Sequence, residues 1–206
     1  MFRTILFFFL IPMPFQQNWR LSSDKDGIKI YTSPAPADGK LKPIKVECVF
    51  NATPSQIAAV LMDIKSYPEW VYHTKSAEVI KKISADDIYF YSEINVPWPA
   101  QNRDFVSHIT VAQNPETQAI TVEAPNVTGT VPIKQGIFRL TASKAKWIIT
   151  PIGNNQSRVV YEVLLDINGS TPGWLVNMFI TEGPFQTFKN LRVQVQKPAY
   201  RNKELH

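Results

Sequence analysis

A single cysteine, Cys48, among 206 residues leaves no partner for an intramolecular disulfide. It lies in the strand-like stretch KPIKVECVFN, where a small buried apolar residue is expected. Three histidines, His73, His108 and His206, lack the H-x-x-x-H or H-E-x-x-H spacing that sets two imidazoles on one helical face for zinc. Glycine is scarce, at 8 against 16 prolines, and no glycine-rich phosphate cradle, dinucleotide fingerprint or G-x-S-x-G elbow occurs. Basic residues exceed acidic ones by five, yet Lys81–Lys82 is the longest adjacent basic run, so the concentrated face that nucleic acid demands is missing. Charged residues make up only 19% of the chain, which argues against disorder. Paired carboxylates stay open as acid–base groups, because neighbours across strands are invisible in sequence.

What is present describes one folded domain. Hydrophobic residues reach 44%, and 12 Phe, 7 Tyr and 5 Trp supply large buried areas per residue. The only long apolar run is TILFFFLI, after Met1-Phe2-Arg3. It is too short to cross a bilayer as a mature helix and matches the charged and apolar regions of an export signal. Residues 1–17 are therefore expected to be a signal peptide, with an uncleaved membrane anchor as the alternative. A periplasmic or secreted location follows from the first. Residues 18–197 form the domain, and 198–206 a polar, frayed tail.

Within the domain most segments alternate with period two. Asn18–Asp24 reads as a short helix, and Asp26-Gly27 as a turn into Ile28–Tyr31. Further strands are expected at Ile44–Phe50, Ala77–Ile83, Ile88–Val96, Asp104–Ala112, Ile120–Ala124, Gly136–Leu140, Lys144–Ile149 and Val159–Ile167. Thr53 and Gln56 form a capping box with Pro54 in the first helical position, and Ile57, Val60, Leu61 and Ile64 then fall on one face, with Pro68 ending the helix. Connections too short for parallel crossovers predict an antiparallel sheet. Residues 172–197 carry the one long amphipathic helix, with Trp174, Met178, Phe185, Phe188, Leu191 and Val195 on its apolar stripe. Gly183-Pro184 interrupts it, because proline removes the hydrogen bond to Ile180. A kink there divides a lid half, Trp174–Ile180, from an anchored half, Phe185–Val195. The fold class is α+β.

Four stretches, in order, carry a resemblance: DGIKIYTSP, VPWPAQNRDFVSHI, KAKWIITPIGNNQSRVVYEVLLDINGSTPGWLVN and PFQTFKNLRVQVQ. Together they resemble the START family of lipid transfer domains over nearly all of residues 18–197. The resemblance implies a helix-grip fold, in which a curved antiparallel sheet wraps around a long C-terminal helix and encloses a lipid-sized tunnel. It implies binding, and transfer between membranes, of a lipid or other apolar molecule, without catalytic residues, cofactor or metal. Transient membrane contact and a monomeric state are expected, and nucleic acid is not.

Some sterol-binding members place an acidic residue and an arginine in the cavity. The corresponding positions here are Phe90 and Ile109, so recognition by that charge pair is not expected. Strand alternation proposes Phe90, Ser92 and Ile94, then Phe105, Ser107 and Ile109, then Tyr161, Val163 and Leu165 as cavity-facing, with Arg103 as a polar contact. From the helix come Met178, Phe185 and Phe188, with Trp174, Gly183 and Pro184 in the lid. Two rivals stand beside this reading. One is a helix-grip enzyme resembling aromatic polyketide cyclases, which would need polar groups converging in the cavity and would gain from inward-facing Glu93, Arg103, His108 or Glu123. The other is a ligand-sensing scaffold.

Overall fold

The computed structural model describes residues 18–34, 41–166, 172–201 and 203. The export segment expected at 1–17 lies outside them, as do most of the loop at 35–40, the approach to the last helix at 167–171, and tail residues 202 and 204–206.

The chain runs through β1 (Arg20–Lys25), β2 (Ile28–Thr32), β3 (Leu41–Phe50), α1 (Pro54–Met62), a 3₁₀ turn (Ile64–Ser66) and α2 (Tyr67–Trp70). Then come β4 (Thr74–Lys82), β5 (Asp87–Ile94), β6 (Arg103–Gln113), β7 (Ile120–Pro125), β8 (Phe138–Arg139), β9 (Lys144–Gly153) and β10 (Gln156–Asp166). The C-terminal helix has three parts: α3 (Gly173–Asn177), a π-helical turn (Met178–Glu182) and α4 (Gly183–Gln194). Nine strands follow the order β1-β2-β3-β10-β9-β7-β6-β5-β4, every neighbouring pair antiparallel, and β8 adds to β6. This is the helix-grip α+β fold.

Alternation decides which face holds the helix. Ile44, Val46, Cys48 and Phe50 of β3 meet Val159 of β10, Ile149 of β9 and Val122 of β7 in one buried cluster. Phe188, Leu191 and Val195 complete it from α4. The capping box forms as the sequence predicts: Thr53 Oγ1 accepts from the Gln56 amide at 3.2 Å, and the Thr53 amide donates to Gln56 Oε1 at 2.9 Å. Ile57, Val60 and Leu61 of α1 close that end of the core.

Four expectations need correction. Residues 20–25 are a strand, not a helix: Asp26 and Gly27 both take positive φ (52° and 68°) and fold β1 back on β2. Nearly every β1 residue is exposed, so its pairing with β2 rests mainly on backbone hydrogen bonds and no apolar alternation marks it. Pro68 opens α2 instead of ending α1, which stops at Asp63, since a proline is compatible with the first helical turn. The strand expected at 136–140 shrinks to two residues, and it pairs parallel to β6. The tail does not fray at its start. Tyr200 is buried, donates to Asp63 Oδ2 at 2.8 Å and accepts from Gln194 Nε2 at 3.1 Å.

Candidate functional site

α4 packs against the sheet's inner face through Phe188, Leu191 and Val195. Where the π-helical turn runs into the start of α4, the helix roofs a cavity of about 220 Å³. Phe90, Ser92 and Ile94 of β5, Phe105, Ser107 and Ile109 of β6, and Tyr161, Val163 and Leu165 of β10 all line it. Register explains the agreement: Phe90 pairs with Ser107 and Ser92 with Phe105, so one pleat carries all of them inward. Ala145 and Trp147 of β9 continue the wall, and Leu61, Tyr67 and Trp70 close its side. The roof is Phe179, Gly183, Pro184, Thr187 and Phe188.

Four of the proposed residues lie outside the lining. Arg103 stacks its guanidinium on Phe138, 4.6 Å from the ring centroid, because β8 runs beside it. Met178 gives way to Phe179: a π turn holds an extra residue, which advances the inward-facing position by one. Phe185 packs on the other flank, with Lys25 of β1 5.9 Å from its ring centroid. Trp174 is 44% exposed. Sequence reasoning missed Asn126 and Ser143, which sit in irregular stretches without periodicity, and Phe179, hidden by the change of helical period.

The kink expected at Gly183-Pro184 takes the form of this π turn. Pro184 has no N–H for the Ile180 carbonyl, and widening the preceding turn relieves its ring. The Gly183 amide donates to Met178 O instead. A Cβ on Gly183 would lie 2.9 Å from that carbonyl oxygen and 3.4 Å from Tyr72 Cδ1, so glycine is needed there for space.

The two halves of the helix are held unequally. Beyond the kink, Phe188 and Leu191 are fully buried, Thr187 Oγ1 accepts from the Tyr72 amide at 3.1 Å, and Arg192 Nη1 donates to Asp26 O at 2.6 Å. Lys197 adds an ion pair to Glu69 at 2.6 Å. Before the kink, Leu175 alone is buried in α3, and no residue of the π turn is.

The cavity's electrostatics are uniform: among the described residues, no charged side chain lines it. Tyr67 hydrogen-bonds Leu61 O at 2.7 Å, and burial pushes the hydroxyls of Tyr67 and Tyr161 upward, so both keep their protons. The charges on the same strands belong to the outer face or its rim. Glu93 pairs with Lys75 at 2.8 Å, and that hydrogen bond holds its carboxyl below the usual range. His108 meets Asp87 at 2.7 Å, and Glu123 meets Lys146 at 2.8 Å. None of the described residues form a group of three or more His, Cys, Asp and Glu placed to hold a metal.

Comparison with known proteins decides the family. The START domain model matches residues 15–201. The chain belongs to the START domain family. A STAR-related lipid transfer protein from Xanthomonas axonopodis has a solved START structure that is 30% identical, with a TM-score of 0.78 over 87% of this chain and 99% of that one. An uncharacterized Pseudomonas aeruginosa protein is 30% identical over 181 residues, 88% of each chain. The phosphatidylcholine transfer protein of Mus musculus is 24% identical over 180 residues, covering 81% of this chain and 78% of that protein. The START match thus spans β1 through Tyr200, the whole arrangement that builds the cavity.

Proposed function

We propose that this protein binds a lipid or similar apolar molecule in the cavity without catalysis, and exchanges it with membranes by lifting the helix segment before the kink. The observation that carries the reading is the apolar hollow roofed where the π-helical turn, none of whose residues is buried, meets the start of α4. Each buried methylene contributes about 0.8 kcal/mol, so such a hollow retains an acyl chain without any reacting group. Relatives named as lipid transfer and phosphatidylcholine transfer proteins support the same reading. The enzyme alternative would have gained from Glu93, Arg103, His108 or Glu123 in the cavity, and none of the four lines it.

Topology supports one direction of membrane approach. Ile94 at the end of β5, Phe105 near the start of β6, Asn126 after β7, Ala145 near the start of β9 and Leu165 near the end of β10 mark one end of the sheet as the cavity's edge. Three chain segments leave that same end. They carry Trp98, 90% exposed, Ile133, 74% exposed, and Trp174. Exposed indoles at a rim suit the interface of a bilayer, and Lys134 stands next to Ile133 for anionic headgroups. The protein acts as a monomer in this reading. We place it outside the cytoplasm, in a periplasmic or secreted location, on the strength of Arg3 and the apolar run after it. Sequencing the amino terminus of the mature protein checks this, and an intact Met1 in cytosol would remove it.

Vesicle assays test the mechanism. Pro184→Ala restores an N–H for Ile180 O, worth about 1 kcal/mol, and should slow lipid exchange about fivefold while leaving the fold and vesicle binding intact. Trp98→Ser with Ile133→Ser should weaken vesicle binding about tenfold, equivalent to about 1.4 kcal/mol. Unchanged exchange in the first variant would remove the gate, and unchanged binding in the second would remove the rim.

A further inference from the structure

We infer that the cavity selects lipids whose enclosed part carries no charge: a single chain or compact ring system ending in a hydroxyl or similar hydrogen-bond donor. This rests on the carrier reading above and narrows it to a class of ligand.

Charge is the first argument. Phe90 and Ile109 stand on adjacent strands, facing inward, and both are hydrocarbon. Two carboxylates of these strands are turned away from the cavity and neutralised there, Asp104 by Arg139 and Glu93 by Lys75, and Arg103 stacks on Phe138 outside the lining. A phosphate or carboxylate drawn inside would leave water and find no cation among the described lining residues. An anion transferred in that way is strongly disfavoured.

Hydrogen-bond accounting gives the second argument, independently. Ser107 and Asn126 are bridge partners on the wall. The Ser107 hydroxyl donates to Pro125 O at 2.8 Å, and Asn126 Nδ2 donates to Leu140 O at 3.1 Å. The Ser107 hydroxyl and one of the two Asn126 N–H groups are thereby committed to backbone carbonyls. Among the described residues, Ser107 Oγ and Asn126 Oδ1 accept nothing, so this patch offers acceptors. An alcohol or amide N–H can donate to it. An ionised carboxylate or phosphodiester only accepts, and meets the lone pairs of both groups with a single free N–H, that of Asn126, to offset them. The remaining hydroxyls, Tyr161 and Thr187 among them, are neutral and lie on separate elements, so they do not replace the hydration of a full charge. The volume agrees with a compact ligand: about 220 Å³ is below the range of about 300–1,000 Å³ common for small-molecule pockets.

Two probes that differ only at the head group test this with the unmodified protein: hexadecanol and hexadecanoate, titrated at pH 8 against a pyrene-labelled long-chain alcohol. Hexadecanol should bind at least tenfold more tightly. The gap should close as pH falls, because protonation turns the carboxylate into a neutral donor. Equal or tighter binding of hexadecanoate at pH 8, or stoichiometric uptake of pyrene-labelled phosphatidylcholine with no uptake of the alcohol, overturns the selectivity and leaves the carrier reading standing. If the labelled alcohol, hexadecanoate and phosphatidylcholine all fail to bind, both fall together.

Discussion

Arg139→Met should lower stability by about 3–5 kcal/mol, read from the urea midpoint at constant slope. Arg139 grips Asp104 with two parallel bonds, Nε to Oδ1 at 2.6 Å and Nη2 to Oδ2 at 3.0 Å, and both side chains are almost fully buried. Its remaining donors reach Val131 O at 3.0 Å and Pro132 O at 3.1 Å, so one guanidinium ties the loop before β8 to β6. Methionine fills the space but leaves a carboxylate buried without a counter-charge. Because that uncompensated charge causes the loss, Asp104→Leu combined with Arg139→Met should recover most of it. Two other bonds hold the same strip, the Phe138 amide to Asn102 O at 2.9 Å and the Leu140 amide to Asp104 O at 2.8 Å. Leu140 and Ser143 line the cavity just beyond, so the single variant should also bind lipid less well. A loss below about 1 kcal/mol, the level of an exposed pair, would show that the clamp does not hold the loop.

Phe188→Ala should cost about 3–5 kcal/mol as well, by a different route and with an opposite effect on capacity. The ring is fully buried, stacked on Trp147 at 5.3 Å and tilted against Phe50 at 6.1 Å and Tyr161 at 5.8 Å. It is also the inner end of the cavity roof. Deleting it removes the contacts that anchor α4 and opens the hollow toward the main core. Thermal or urea unfolding should show the loss. Binding of chains longer than hexadecanol should tighten relative to hexadecanol itself. A purely structural role for the ring predicts weaker binding of every chain length, and that result would separate Phe188 from the site.

How far the site could be read in advance depended on the kind of regularity each part has. Nine strand residues chosen by alternation all reached the cavity, since a pleated strand with one buried face leaves no freedom about direction. The helix residues fared worse. Phe188, Gly183 and Pro184 were placed, whereas Met178 and Phe185 were not, because a constant period was extended across a proline that changes it. Arg103 continued the inward parity of β6 on paper. At the strand's first residue a neighbouring two-residue strand, invisible as a periodic pattern, supplied Phe138 for its guanidinium. Asn126 and Ser143, which shape the polar patch, lie where the chain has no repeat to extrapolate.

The amino-acid order alone determined the α+β class, the antiparallel pairing of the main sheet, the capped first helix, the apolar faces and the break at Gly183-Pro184, all of which arise from local sterics and from periods of two or 3.6 residues. Tertiary structure decided that a hollow is left between the sheet and the helix, that Glu93 and Asp104 turn outward into pairs, and that the roof includes a π-helical turn with no buried residue. Those properties come from residues far apart in the chain meeting across a closed surface. The volume left between such surfaces is a difference between packings and is not encoded in any single segment.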